Sequence, residues 1–512
     1  MKKRNVRALS GLLIAWAGCQ IQPSIGISLP TGPFVDPQLY DGARSGAVNT
    51  LSADGRYAVY DVDDSYVSSD GTNVALRDVV VYDKVLDRVT RITFGDSDSY
   101  GGTISGDGRY LAFVSAATDL TARNKAIPVP DIGFITNSGP HVFVADLRTD
   151  LGHVSVPTAY TMVDTSYLDE VADCRAKSPV TMACSGGDGP AVQAVISQDG
   201  STVAYVSYAL NIDPDLHEAD SLSRIYLWDR ATKSSRDITP WFNGNSNSPT
   251  LNFDGSLLAF VSTASDIISA TVPAPDVQGG NIFVWSRTSG KFDLVSRNGD
   301  LPANAPSWSP NISSDGKWIA YTTRASNLDA NDTNQRPDVY SFNVPTGKSY
   351  AVSGMRLLGD CHDGMVQIGS WKPMCLSNAF SEEGASESSI SSDGRYIAFM
   401  SASPLINQVG DTDSCDAVDT NNRLDVYVAD MANGGELMLQ TMLRDSTGKL
   451  WPTPAGESRF PSISADATTI SFETSNSAFY IKDFQRIADP PYTGDGAPKV
   501  FLVNGIQRRP CS

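Results

Sequence analysis

Histidine is nearly absent. The 512-residue chain has four, His141, His153, His217 and His362. None stands in H-E-x-x-H or in any two-histidine spacing that would set metal ligands on one face. His141 occupies a strand-start position that equivalent segments fill with Asp, Asn, Arg or Lys, so a structural place is expected for it. No G-x-S-x-G segment offers a nucleophile elbow, and no C-x-x-C pair offers a zinc site. Positive charge is also short: 39 Lys and Arg against 58 Asp and Glu give a net charge of −19. Such a surface repels phosphate backbones and excludes nucleic acid as an expected partner. It suits metal cations or basic protein partners. After position 19 no apolar run approaches the ~20 residues needed to cross a bilayer.

What is present begins with an address. Met1 to Arg7 is basic, and Ala8 to Ala17 is short and apolar. Small residues follow, as in a secretory signal. Ala15-Trp16-Ala17 permits cleavage before Gly18. Alternatively Ala17-Gly18-Cys19 reads as the end of a lipobox with Trp16 in the usual leucine position, and Cys19 would be acylated. The chain is thus divided into a signal (1–18), a tether with a possible ring-closing strand at Ile25 to Pro30 (19–45) and a body (46–512). Loss of Lys2, Lys3, Arg4 and Arg7 would take the net charge from −19 to near −23. The expected location is an outer-membrane lipoprotein facing the periplasm or the cell surface, or else a soluble periplasmic or secreted protein. The membrane would be met only through the N-terminal lipid. With Cys19 lipidated, six cysteines remain, an even number for an oxidising compartment. The expected pairs are Cys174–Cys184, Cys361–Cys375 and Cys415–Cys511.

One segment recurs seven times. The copies are LSADGRYAVY from Leu51, ISGDGRYLAFVS from Ile104, ISQDGSTVAYVS from Ile196, LNFDGSLLAFVS from Leu251, ISSDGKWIAYTT from Ile312, ISSDGRYIAFMS from Ile390 and ISADATTISFET from Ile463. Asp-Gly predicts a tight two-residue hairpin turn with positive φ. The residues after it, such as Ile397-Ala398-Phe399, predict a strand buried on both faces. The small residues before it suit a strand beside a crowded axis. A further strand follows each hairpin: VVVYDK from Val79, HVFVADL from His141, RIYLWDR from Arg224, NIFVWSR from Asn281, DVYSFNV from Asp338, DVYVADM from Asp425 and KVFLVN from Lys499. Turns such as Pro345-Thr346-Gly347 lead to a fourth strand. The prediction is an all-β fold, a seven-bladed propeller of four-stranded antiparallel blades, with long insertions at Asp164 to Pro190 and Arg356 to Ser386.

These repeats resemble the TolB-like, or PD40 (WD40-like), β-propeller repeat of bacterial exported proteins, over roughly residues 46 to 507. The α/β domain that precedes the TolB propeller has no room between Cys19 and the first repeat, so TolB's partners are not carried over. Prolyl oligopeptidases add a hydrolase domain to a similar ring, for which the chain after the seventh repeat leaves no space. Pectate-fragment lyases use such a ring with histidine-rich metal ligation, whereas the inner strands here hold Ser, Thr, Pro and Ala.

Acidic loops are the remaining signal. Asp332, Asn334 and Asp338 in one repeat and Asp419, Asn421 and Asp425 in another share a D-x-N-x-x-x-D spacing. Alternating oxygen donors of this kind suit calcium, although turn-making would place the same residues there. The sequence leads to a non-enzymatic cell-envelope scaffold binding another envelope protein or a saccharide, with the cysteine-bearing insertions as specificity elements. Two other readings stay open. One is a polysaccharide-active lyase or hydrolase with carboxylates in the central channel. The other is a structural protein stabilised by calcium and disulfides.

Overall fold

Each S-x-D-G segment folds into the same turn, and its side chains explain the motif. In the first copy the Gly55 N–H donates to the Ser52 carbonyl at 2.9 Å. The Ser52 hydroxyl donates to Asp54 (2.7 Å) and accepts the Tyr57 N–H (2.9 Å), while Asp54 accepts the Arg56 N–H (3.0 Å). The serine–aspartate bond recurs at Ser105–Asp107, Ser197–Asp199, Ser313–Asp315, Ser391–Asp393 and Ser464–Asp466. Asn252 replaces serine in the fourth copy and accepts the Leu257 N–H through its amide oxygen. Only the residue after Asp is left-handed, Gly55 at φ 63 and Ala467 at φ 57 in the copy without glycine. The predicted two-residue turn is therefore corrected. The loop is longer, and Asp stays out of the left-handed region so that its carboxylate can cap the N–H two residues on.

The computed structural model describes residues 50–67, 73–117, 120, 139–147, 152–157, 160–166, 186–214, 221–267, 279–356, 376–380, 384–402, 423–433, 436–444, 450–452, 457–474, 499–504 and 506. All seven cysteines, the Ile25 to Pro30 segment, Asp419 and Asn421 lie outside these residues. No helix among the described residues is long and apolar enough to cross a membrane.

The described strands form seven antiparallel blades in chain order. Blade 1 comprises Tyr57–Val67, Asn73–Asp83 and Arg88–Arg91, with Leu51 bridged to Ala58 on its inner side. Blades 2 to 6 have four strands each, with inner strands Ser99–Ile104, Ala191–Ile196, Ser246–Leu251, Ser307–Ile312 and Ala385–Ile390. Blade 7 comprises Ser458–Ile463, Thr469–Thr474 and Lys499–Asn504. The seven-bladed prediction holds, with three strands rather than four described in the first and last blades. Short two-stranded hairpins lie after blades 4, 5 and 6, the first at Arg297–Asn298 and Leu301–Pro302.

A blade cannot bury both faces alone, so the apolar core is divided among the junctions. Phe113 and Phe143 of blade 2 pack with Val59, Val79 and Val81 of blade 1. Tyr321 and Tyr340 of blade 5 pack with Ala259 and Val284 of blade 4. Ile397 and Phe399 of blade 6 pack with Ala320 and Val339 of blade 5, while Ala398 between them packs with Ile470 and Phe472 of blade 7. The alternation sends successive side chains to opposite blade faces, and all three residues of Ile397-Ala398-Phe399 are buried, as predicted.

Third strands are held by a second recurring device. The Ser353 hydroxyl accepts the Val339 N–H (3.0 Å) and donates to Asp338 (2.8 Å). Thr93 does this for Val79 and Asp78, Thr441 for Val426 and Asp425, and Ser296 for Ile282 and Asn281. In blade 2 Asp164 takes the hydroxyl's place, accepting the Val142 N–H and lying 2.9 Å from His141 Nδ1. His141 is thus a buried structural residue, packed so closely on Gly186 that a Cβ there would lie 2.1 Å from its ring.

Candidate functional site

Five of the six-residue inner strands carry the same irregularity. Their pairing slips by one residue after Tyr100, Asn247, Trp308, Ser386 and Arg459. Two residues then oppose one, a β-bulge that bends the strand and re-aims a side chain. The first bulge residue is left-handed every time: Gly101 (φ 66), Ser248 (φ 52), Ser309 (φ 50), Glu387 (φ 51) and Phe460 (φ 51). Pro249, Pro310 and Pro461 follow three of them, where the unpaired position makes no demand for an N–H. Blade 3 bulges one residue earlier, between Ala191 and Gln193.

The bulges surround a cavity of about 410 Å³ on the propeller axis. All seven blades line it. Asp61 and Arg77 come from blade 1, Tyr100 from blade 2, Gln193 from blade 3, Ser248 from blade 4, Ser309 from blade 5, Glu387 from blade 6 and Phe460 from blade 7. The volume lies within the ~300–1,000 Å³ of typical small-molecule sites. The inner strands hold Ser, Pro and Ala and no histidine in this lining, as the sequence indicates. Small residues are present, but two carboxylates, a guanidinium, an amide and two aromatic rings stand among them.

Electrostatics separate the two carboxylates. Asp61 is buried and accepts the Gly101 N–H at 3.1 Å. Glu387 is held by a single hydroxyl, Ser309 Oγ at 3.1 and 3.2 Å from its two oxygens. Burial pushes the Glu387 carboxyl above its ordinary range, and the Ser309 bond offsets this only in part. Its proton is therefore available at a higher pH than that of a surface glutamate. The Arg77 guanidinium lies 5.9 Å from the centre of the Tyr100 ring. Gln193 Oε1 accepts the Ser248 N–H at 2.8 Å. The array can donate and accept hydrogen bonds on several sides and offers apolar ring surface at Phe460 and Tyr100.

One mouth of the channel is framed by the S-x-D-G turns. Backbone hydrogen bonds link neighbouring turns all the way round: Ala53 to Gly106, Gly106 to Gln198, Asp199 to Phe253, Phe253 to Ser314, Asp315 to Ser392, Ser392 to Ala465 and Asp466 to Ala53. This hoop fixes the spacing of the inner strands and hence the cavity's width.

The described calcium candidates, Asp332, Asn334, Asp338 and Asp425, are not among the residues that line the cavity. Asp332 and Asp338 are buried, with Asn334 Nδ2 donating to Asp338 at 3.2 Å and the Tyr340 hydroxyl reaching Asp332 at 3.5 Å. Burial raises both carboxyls, Asp338 to about 8. Asp338 and Asp425 also serve the third-strand device described above. Among the described residues no group of three or more His, Cys, Asp or Glu side chains converges as a metal site. Sequence reasoning missed the bulges, although proline inside a strand at 249, 310 and 461 signals them. It missed Asp61, Arg77 and Glu387 because no motif marks them.

The fold and cavity define a seven-bladed β-propeller with a polar axial site. No protein-family model matches the sequence, and no curated protein matches it. Solved structures similar to it are propeller-containing proteins. Oligogalacturonate lyase from Vibrio parahaemolyticus is 13% identical with a TM-score of 0.45, over 92% of each chain. TolB from Acinetobacter baumannii is 13% identical with a TM-score of 0.34, over 90% of this chain and 84% of that one. Acylaminoacyl peptidase from Pyrococcus horikoshii is 11% identical with a TM-score of 0.42, over 85% of this chain and 49% of that one. No residue role or activity is carried over from them.

Proposed function

We propose that this chain is a non-enzymatic binding propeller of the cell envelope and that its ligand is a saccharide held in the axial cavity. The observation that carries the reading is the cavity's lining: every blade contributes, and carboxylate, amide, hydroxyl and aromatic groups converge. A sugar presents hydroxyls to such acceptors and donors and an apolar ring face to Phe460 or Tyr100. Pockets of this kind fix orientation with few polar groups on a rigid frame. The reading shifts the expected binding surface from the cysteine-bearing loops to the axis. A glycan array probed with the purified protein tests it: saturable binding weakened in Glu387→Gln and Phe460→Gly supports it, and no glycan bound at millimolar concentration removes it.

Glu387 favours one alternative. A partly buried carboxyl raised above its ordinary range is shifted toward what a general acid needs, so a polysaccharide-active enzyme is the second reading. Incubation of bound oligosaccharides with wild type and Glu387→Gln separates the two. Intact oligosaccharide after prolonged incubation supports the binding protein, and cleavage lost in Glu387→Gln establishes the enzyme. The envelope location rests on the N-terminal residues alone. Lipid labelling of wild type but not of Cys19→Ala, in cells, supports anchoring through Cys19.

A further inference from the structure

The bulges do more than aim side chains. A left-handed residue turns its own N–H away from the strand ladder and toward the axis, where the preceding blade can meet it. In blade 2 the Gly101 N–H donates to Asp61 Oδ2 of blade 1 (3.1 Å). In blade 4 the Ser248 N–H donates to Gln193 Oε1 of blade 3 (2.8 Å). Asp61, Gln193 and both bulges line the same cavity. The equivalent N–H groups of Ser309, Glu387 and Phe460 belong to residues with the same φ, 50, 51 and 51. Among the described residues no side chain accepts them. Blades 5 to 7 thus repeat the geometry of blades 2 and 4 without its acceptor.

We infer that the N–H groups of Ser309, Glu387 and Phe460 form an arc of backbone donors that reads acceptor oxygens of the ligand, standing where Asp61 and Gln193 stand in the other blades. The inference rests on the proposed saccharide site and deepens it by naming the ligand chemistry. Backbone N–H groups that converge on a pocket fix a ligand by donating to its acceptor oxygens. The Glu387 carboxyl lies within the arc and the chain is strongly acidic, so the oxygens are those of a neutral sugar, hydroxyl or acetamido carbonyl, rather than of a uronate. Left-handed conformation at four non-glycine residues is disfavoured for L-amino acids, and such outliers persist where the surroundings impose them, often at ligand sites. A glycine would satisfy φ at no steric cost. Side chains are kept at Ser309, Glu387 and Phe460 nonetheless, and each lines the cavity.

Substitutions at Ser309 test the backbone directly. Glycine and asparagine tolerate the left-handed region, whereas valine, branched at Cβ, does not. Calorimetry with a neutral oligosaccharide identified on the array is run on wild type, Ser309→Gly, Ser309→Asn and Ser309→Val. The expected result is that Ser309→Gly and Ser309→Asn bind within about twofold of each other, and Ser309→Val about three- to tenfold more weakly than Ser309→Gly, which lacks the hydroxyl as well, the worth of one backbone hydrogen bond. Ser309→Gly is also expected to melt no lower than wild type, because it relieves the φ strain. Equal losses in Ser309→Gly and Ser309→Val would assign recognition to the hydroxyl and overturn the inference, as would equal retention in both. If Ser309→Val fails to fold, Ser309→Ala, also disfavoured in the left-handed region, takes its place: affinity equal to that of Ser309→Gly overturns the inference. A preference for uronate over neutral oligosaccharides overturns the ligand class. Absence of any glycan binding by wild type instead defeats the proposed function, so the two failures are distinct.

Discussion

The N–H of Asp466 in the last blade donates to the carbonyl of Ala53 in the first, at 3.1 Å, and completes a circle of seven backbone hydrogen bonds. Around it Lys84 Nζ donates to Thr469 Oγ1 at 2.7 Å, joining blade 1 to blade 7 across the same seam. In a ring each inner strand is placed by its two neighbours, so the seam holds the cavity as much as it holds the fold.

Gly55 sits at that seam with φ 63, and a Cβ there would lie 2.2 Å from Thr469 Oγ1. Gly290, in an outer hairpin at φ 67, has nothing within 4 Å of an added Cβ. Alanine at either position meets the left-handed penalty of about 1–2 kcal/mol, and only at Gly55 is overpacking of about 1–3 kcal/mol added. Gly55→Ala is therefore expected to destabilise by more than Gly290→Ala, as read by denaturant titration. Equal losses would show that the seam contributes nothing special.

The repeat motif carries its own test in Ser313. Its hydroxyl donates to Asp315 (2.7 Å) and accepts the Trp318 N–H (3.0 Å). Ser313→Ala leaves that N–H unmet inside the fold, at a cost of about 1–3 kcal/mol. Asn252 performs the same bond to Leu257 in blade 4, so Ser313→Asn is expected to retain most of the stability. Thermal melts of the two variants compare them.

Two buried carboxyls give stability a pH dependence opposite to that of an ion-paired aspartate. Burial raises Asp237 to about 7 from an ordinary 3.8, more than its bonds to Thr239 and the nearby Arg224 lower it. The folded state then holds a proton that the unfolded state releases. Stability falls as pH rises through the interval from about 4 to 7, and the full cost is present above it. Asp237→Asn, whose amide oxygen can keep the Thr239 bond, is expected to raise Tm at pH 8 and to change it little at pH 4. Asp338, raised to about 8, predicts the same sign in Asp338→Asn, with a window that extends to about pH 8.

Much of the architecture is legible in sequence because its devices are local. Ser391-Ser392-Asp393-Gly394 satisfies its own turn, and Ile397-Ala398-Phe399 declares a strand with two buried faces. The cavity is less legible because it is assembled from residues hundreds of positions apart. Glu387 lies in an ordinary run, Ser386 to Ser389, and its carboxyl is raised only when the assembled ring takes it out of water, with Ser309 of blade 5 offsetting part of the rise. Asp61 belongs to a blade strand without any motif. Asp338 and Asp425 show the converse: a spacing that suits calcium is also the spacing that presents a carboxylate to a hydroxyl 15 or 16 residues later. The cysteine and N-terminal expectations concern residues outside those described.

The central claim is that the axis, not the outer loops, holds the ligand. Titration calorimetry with an array-identified oligosaccharide addresses it most directly, comparing wild type with Phe460→Gly and with Trp241→Ala. Phe460 lines the cavity and keeps its left-handed backbone as glycine. Trp241 is 69% exposed and is not among the residues that line it. The account predicts one site per chain, about tenfold or more weaker in Phe460→Gly through loss of the ring face that a bound ligand would cover, and unchanged in Trp241→Ala. Undiminished binding by Phe460→Gly together with loss in Trp241→Ala would contradict it.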